Sequence, residues 1–298
     1  MSLLSVRQLD RETVDELLER AAVLAGASAP RRKRGTVVNL FYEPSTRTSL
    51  SFQIAAQRLG MHVLDFGVDR SSIQKGESLL DTLQTLESLG VDIVVIRHSD
   101  DWPSLLSGHR FKMSLVNAGS GIYEHPTQAL VDALTIKEYF GTLRGLTVTI
   151  VGDIRHSRVA RSNAHLLQMM GSRVQFAGPP QFRADDIPGC TWVDFDEALP
   201  ESDVLMMLRV QLERHEGKHE MEHYHREFGL NKERLAVLNR QALILHPGPV
   251  NRNVEIADVV LQDRRCRILR QVQLGVAVRM AVLEWCFGNN RFGQVVSA

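Results

Sequence analysis

Short apolar runs rich in β-branched residues alternate along this chain with amphipathic stretches of helical period, and that alternation most constrains its fold. GTVVNLFY (35–42) hands over to a helical pattern at 46–59, MHVLDF (61–66) to 77–89, MSLVNA (113–118) to 126–140 and LTVTIVG (146–152) to 157–170, with VDIVVI (91–96) between. Strands separated by helices pair in parallel, because a parallel crossover needs a long connection that covers one face of the sheet. Gly60, Gly90, Gly141 and Gly171 stand where four of the helical patterns stop, as left-handed C-terminal residues would. RVQFAG (173–178), DVLMML (203–208) and ALILHPG (242–248) continue the strand series, and a last helix near 271–286 carries Leu274, Val278, Val282 and Leu283 on one face. The fold class is α/β, with two doubly wound domains, each a parallel sheet flanked by helices.

At 298 residues and 44% hydrophobic content the chain has core enough for two domains, and the main boundary falls in YFGTLRG (139–145). The 35 basic and 35 acidic side chains cancel, so no global field points to nucleic acid or a membrane surface; any anion selectivity is local. Cys190, Cys266 and Cys286 are scattered, with no CxxC, which fits reduced thiols in a cytoplasm. No run of about twenty apolar residues appears, so the chain reads as soluble. ERHEGKHEMEHYHREFG (213–229) reads as a polar surface loop. His215, His219, His223 and His225 have metal-like spacing within it, but neighbouring charge and the lack of a partner cysteine disfavour a metal. The Met169–Met170 pair and Trp285 read as core packing.

Ligands of open α/β sheets bind beyond the carboxyl ends of the strands, so the residues following each apolar run carry the information. They are polar or basic throughout: Arg47, Arg97, His98, Arg155, Arg158, Arg209 and His246. Arginines converging on one edge describe a receptor for phosphate and carboxylate groups, which guanidinium binds through paired hydrogen bonds. Ser45, with Thr46, Arg47 and Thr48, reads as an N-cap followed by free helix-start amides, a natural phosphate seat. SSIQKGES (71–78) supplies hydroxyls and Lys75 but lacks the order of a nucleotide P-loop, and VGDIRHSRVA (151–160) lacks the GxGxxG of a dinucleotide turn. EHPTQAL places His125 ahead of Pro126, a favoured first helical residue, where the imidazole reads either as a helix-start cap or as a donor beside the anion sites able to polarise a carbonyl.

Taken together, STRT, KGES, IRH, HPTQAL, GDIRHSR, LRVQ.ER and HPGPVNR occur in the order and spacing of the aspartate/ornithine carbamoyltransferase family, over essentially the whole chain. STRT and HPTQ mark the wider family, whereas RVQ and HPGPVNR resemble its aspartate-specific branch. The resemblance implies carbamoyl transfer from carbamoyl phosphate to L-aspartate in pyrimidine synthesis, at an active site in the cleft between the domains. It makes 1–140 the carbamoyl-phosphate-binding domain, completed by the C-terminal helix 271–298, and 141–270 the aspartate-binding domain. Ser45, Thr46, Arg47 and Thr48 would cradle the phosphate with Arg97; Thr48, Arg97 and His125 would hold the carbamoyl oxygen; Gln128 and the carbonyls of Gly248 and Pro249 would orient the carbamoyl NH₂. Arg158, Arg209 and Gln211 would bind the aspartate carboxylates, while Ser71 and Lys75 would reach into the active site of a neighbouring chain, making a homotrimer the smallest active unit. No metal or organic cofactor is implied, and a regulatory chain or a dihydroorotase is the kind of protein partner the family allows.

Many relatives carry Arg and Glu where this chain has Ser49 and Gln53, four apart on one helix; losing both members of such a pair is milder than losing one. Ornithine carbamoyltransferase is the nearest enzymatic rival, but it usually has HCLP where this chain reads His246, Pro247, Gly248, Pro249, and Arg209 suits an anionic acceptor better. A non-catalytic scaffold for another pyrimidine enzyme is the rival of a different class. The presence of Arg47, Lys75, Arg97, His125, Gln128, Arg158 and Arg209 together argues against it.

Overall fold

Two separate parallel sheets carry the strand–helix alternation. The computed structural model describes residues 1–26, 34–67, 72–210, 218–288 and 294–295. In the first sheet β1 (Thr36–Phe41), β2 (His62–Phe66), β3 (Ile93–His98) and β4 (Ser114–Ser120) lie in the order β2-β1-β3-β4, every pair parallel. Ile93 to Ile96 are fully buried, as a strand covered by helices on both faces requires. β3 runs on through Arg97 and His98, which pair with Phe41 and Ser120, so these two end the strand rather than follow it.

The helices of this unit include α1 (Arg11–Gly26), α2 (Thr46–Arg58), α3 (Leu79–Ser88) and the start of α4 (Pro126–Phe140). α1 lies in a segment the strand–helix pattern leaves unassigned, yet Val14, Leu17, Leu18, Ala21 and Leu24 recur on one face and are all buried. Val38, Leu40, Val94, Ile96 and Leu115 pack with Leu83, Leu86 and the fully buried Trp102. Burial of each such side chain is worth about 1.5–3 kcal/mol.

The second sheet orders β5 (Thr147–Val151), β6 (Arg173–Ala177), β7 (Thr191–Trp192), β8 (Val204–Met207) and β9 (Leu243–Leu245) as β9-β8-β5-β6-β7, again all parallel. α5 (Arg158–Met169) connects its first two strands, and α6 (Lys218–Phe228) and α7 (Lys232–Val237) follow β8. α6 corrects the loop reading over 218–228, while 213–217 lie outside the described residues: Met221, Tyr224 and Phe228 form a narrow apolar stripe that packs against Val210, Val254 and Phe182. Three such contacts hold a helix whose remaining faces are polar. Met169, Met170 and Trp285, read as core, are only half-buried.

Two arginines, each 9% exposed, lock the α6–α7 region. Arg234 donates a fork to Asp196 at 2.6 and 3.1 Å and reaches the carbonyls of Arg226, Glu227 and Gly229. Arg265 forks onto Asp263 at 3.0 Å and binds the carbonyls of Leu235, Leu238 and Asn239 at the end of α7. The Arg265 hydrogen bonds hold the Asp263 carboxyl below its ordinary 3.8. A depressed carboxylate contributes stability above its ordinary value and loses it as pH falls through the folded value. Asp263→Asn is therefore expected to cost about 1–2 kcal/mol at pH 7. Melting both proteins from neutral pH down to about pH 2 checks this, with the gap closing below the ordinary carboxylate value; a gap that widens on acidification would refute it.

α8 (Ile268–Gly288) closes the helical series, with Leu274, Val278, Val282 and Leu283 all buried. The chain divides into two units, Met1–Leu134 with Val272–Ala298 and Thr135–Gln271, and both divisions fall inside continuous helices, α4 and α8. The boundary read at 140/141 rests on Gly141, which ends α4 with φ +77°. Gly60, Gly90 and Gly171 likewise end α2, α3 and α5 in the left-handed region. All three cysteines are free, and burial pushes the Cys190 thiol up to about 11 and Cys286 up to about 12.

Candidate active site

Strand order decides which chain segments can share a ligand. In the first sheet β1 has β2 on one side and β3 on the other, so the connections diverge at β1/β3, the switch point where open sheets bind ligands. The STRT turn follows β1 and Arg97 ends β3, so the two stand side by side: the Tyr42 amide donates to the Arg97 carbonyl at 2.9 Å. β4 is next in line and leads to His125 and α4.

Ser45 occupies the N-cap of α2 in extended conformation (φ −158°), but its hydroxyl makes no capping bond. Ser45 thus stands at the N-cap position read from the sequence, without the side-chain bond of an ordinary cap. Ser78 and Ser157, by contrast, each accept a first-turn amide of α3 and α5 at 3.1 Å. The first turn of α2 therefore has no side-chain acceptor from its N-cap residue. Thr46 and Arg47 are exposed there, whereas Thr48 turns inward, 5% exposed.

Arg97 is held rather than loose, with Nε 3.3 Å from a Glu43 oxygen and Nη1 donating to the Ala118 carbonyl at 3.5 Å. Glu43, a residue the sequence pattern did not single out, thus aims the guanidinium. His125 and Gln128 are buried, 5% and 9% exposed, and Gln128 Nε2 donates to Asp132 at 2.8 Å. Lys75 is exposed at the end of the short helical turn Ser72–Lys75; Ser71 lies outside the described residues.

In the second unit the sheet diverges at β5/β8, and Arg158 and Arg209 follow those two strands, with Gly248 and Pro249 after β9 beside them. Arg158 opens α5, and both arginines are half-buried. Gly248 sits at φ +67° before a cis bond to the exposed Pro249. Gln211 lies outside the described residues.

His246 does not face a ligand, contrary to its place among the strand-end residues. It is 1% exposed, its Nδ1 accepts the Gly248 amide at 2.8 Å, and its Nε2 therefore carries the proton offered to Glu255, 3.2 Å away. Glu255, fully buried, also accepts the Asn251 amide at 2.6 Å, and the Asn251 side chain donates to the Val210 carbonyl. This inner network ties the 246–251 loop to the residue next to Arg209. His246 and Asn251 both lie in the HPGPVNR motif, but Glu255, the buried carboxylate that joins them, belongs to no motif.

Of the four histidines with metal-like spacing, His215 lies outside the described residues, and His223 and His225 are engaged elsewhere. His223 Nδ1 meets the Arg226 guanidinium and His225 Nδ1 donates to the Val254 carbonyl, each at 2.9 Å. Among the described residues no group of three or more His, Cys, Asp or Glu side chains has the arrangement of a metal site. Nor is any described helix long and apolar enough to cross a membrane.

Two open α/β units, each with two arginines at its switch point, define the class: proteins that seat anionic small molecules at strand carboxyl ends. Residues 1–138 match the family model described as "Aspartate/ornithine carbamoyltransferase, carbamoyl-P binding domain", and residues 144–286 match its "Asp/Orn binding domain". The chain belongs to the aspartate/ornithine carbamoyltransferase family. It is 45% identical over 288 residues to the aspartate carbamoyltransferase catalytic subunit of Listeria welshimeri, covering 95% of this chain and 94% of that one. The catalytic subunit of M. jannaschii aspartate transcarbamoylase is similar in structure, with TM-score 0.86, 30% identity and 97% and 98% of the two chains covered. The Trypanosoma cruzi aspartate transcarbamoylase, solved with carbamoyl aspartate and phosphate, gives TM-score 0.82 at 31% identity, with 95% and 94% covered.

Proposed function

We propose that this chain transfers the carbamoyl group of carbamoyl phosphate to the amine of L-aspartate, giving N-carbamoyl-L-aspartate and phosphate for pyrimidine biosynthesis. The observation that carries the reading is the paired placement of arginines, Arg47 with Arg97 and Arg158 with Arg209, at the two switch points. One phosphate and two carboxylates call for this many fixed cations, and guanidinium is the side chain that binds all three geometrically.

In this reading Ser45, Thr46, Arg47 and Thr48 take the phosphate together with the first-turn amides of α2, and Arg97 neutralises it as it leaves. Thr48, Arg97 and His125 stabilise the carbamoyl oxygen as it becomes an oxyanion. Gln128 and the carbonyls of Gly248 and Pro249 fix the NH₂, while Arg158, Arg209, Gln211 and Lys75 hold aspartate. The amine nitrogen attacks the carbamoyl carbon, the C–O bond to phosphate breaks, and a phosphate oxygen takes the amine proton. No side chain forms a covalent bond, so the rate comes from orientation and electrostatic stabilisation.

The active unit is a homotrimer in the cytoplasm, in which Ser71 and Lys75 complete the site of a neighbouring chain. Exposed Leu50 and Ile54 on α2, and Leu64 on the edge strand β2, support self-association through that side of the first unit. Supplying the purified chain with carbamoyl phosphate and either L-aspartate or L-ornithine tests the reading. Turnover with aspartate alone is expected. Turnover with ornithine would move the assignment to the other branch of the family, and silence with both would favour a non-catalytic scaffold.

A further inference from the structure

Two buried charged side chains lie in the first unit, one of them a helical turn from Gln128. Asp132, on α4, is fully buried, and its carboxylate accepts Nε2 of Gln128 one turn earlier at 2.8 Å. Arg279, on α8, is 4% exposed; its Nη1 donates to the Gly275 carbonyl at 2.9 Å and its guanidinium lies 5.3 Å from the centre of the Phe52 ring on α2. A Cβ at Gly275 would come within 2.5 Å of that Nη1, so glycine makes room for the cation. Burial pushes Arg279 down to about 10, opposed by the Asp132 charge, and it stays a cation at neutral pH.

An ionised carboxylate only accepts hydrogen bonds, whereas a primary amide has a donor end and an acceptor end that differ little in shape. Bonding to Asp132 removes that ambiguity for Gln128. The NH₂ end is taken, and Oε1, an acceptor, is left for a donor on the ligand. We propose that Asp132 is a positioning residue: its carboxylate holds the amide of Gln128 so that Oε1 receives the carbamoyl NH₂. This rests on the carbamoyl-transfer reading and adds to it the residue that makes Gln128 selective for an amide-bearing phosphate.

Removing Asp132 alone would strand a buried cation and risk unfolding, so the test removes both charges. Asp132→Leu with Arg279→Met replaces the pair by apolar groups of similar volume, a change that buried ion pairs often tolerate. Calorimetry would measure two probes, phosphonoacetamide, which keeps the phosphonate and a primary amide, and inorganic phosphate, which has no amide. Wild type should bind phosphonoacetamide more tightly; the paired variant and Gln128→Ala should each lose about five- to tenfold of that affinity with phosphate binding unchanged. Adding Gln128→Ala to the paired variant should cost nothing more, because both act through one hydrogen bond. Equal losses for the two probes, full retention of phosphonoacetamide affinity in the paired variant, or losses that multiply would each overturn the positioning role. Wild type binding neither probe would overturn the carbamoyl-transfer reading itself, and this role with it.

Discussion

Arg47→Ala should lower carbamoyl transfer by about a thousandfold, mainly through kcat, while leaving the melting temperature almost unchanged. The side chain is exposed, and among the described residues no carboxylate pairs with it, so the fold does not lean on it. Its position in the first turn of α2, after an N-cap serine whose side chain makes no capping bond, would put its charge where a leaving phosphate gathers negative charge in the proposed reaction. A second experiment uses the proposed sharing of sites between chains. Lys75→Ala should be nearly inactive as well, and equal mixing of the two variants, with subunit exchange verified, should restore activity at about a quarter of the sites, those formed by one intact Arg47 and one intact Lys75. No recovery would sink the shared-site model while leaving the role of Arg47 standing. A melting temperature that drops steeply in Arg47→Ala would instead mean that its loss of activity is structural.

The parallel architecture was legible because strand and helix periods differ and because glycines end four of the helices. Gly60, Gly90, Gly141 and Gly171 need only local sequence to be read, and all four adopt the left-handed conformation that ends a helix. The strand-end arginines were legible for a similar reason, since a strand's carboxyl end follows directly from the strand. What escaped is what depends on partners distant in sequence. Asp132 reads as one more polar residue on a helix until Gln128 and Arg279 are seen around it, and Glu255 gains meaning only beside His246 and Asn251. α6 escaped because three apolar residues among eleven give a weak periodic signal, and tertiary contacts with Val210 and Val254 supply the rest. His246 misled for the opposite reason. It occupies a strand end, as the ligand-facing residues do, but both its ring nitrogens are committed inside the protein.

Gly178→Ala should be among the most destabilising single changes in the second unit. Gly178 follows β6 at positive φ (+147°), a region closed to most side chains, and it is buried against Gly152, which follows the neighbouring β5 at φ +135°. A Cβ at 178 would stand 2.5 Å from the Gly152 carbonyl oxygen and 3.2 Å from its nitrogen. Both are backbone atoms, so no side chain can swing aside, and the strand end itself must move. Backbone strain and overpacking together are expected to cost about 3–5 kcal/mol. The displaced segment is the one that leads from β5 to Arg158, so whatever enzyme remains folded should show a raised KM for aspartate with little change for carbamoyl phosphate. Gly141→Ala is the control: it also has positive φ (+77°), but nothing lies within 4 Å of the added carbon, so its cost should be near the conformational term alone, about 1 kcal/mol. Comparing the two melting temperatures separates strain from collision. Equal losses would mean that the contact between Gly152 and Gly178 relaxes freely and that the turn before Arg158 is not held by it.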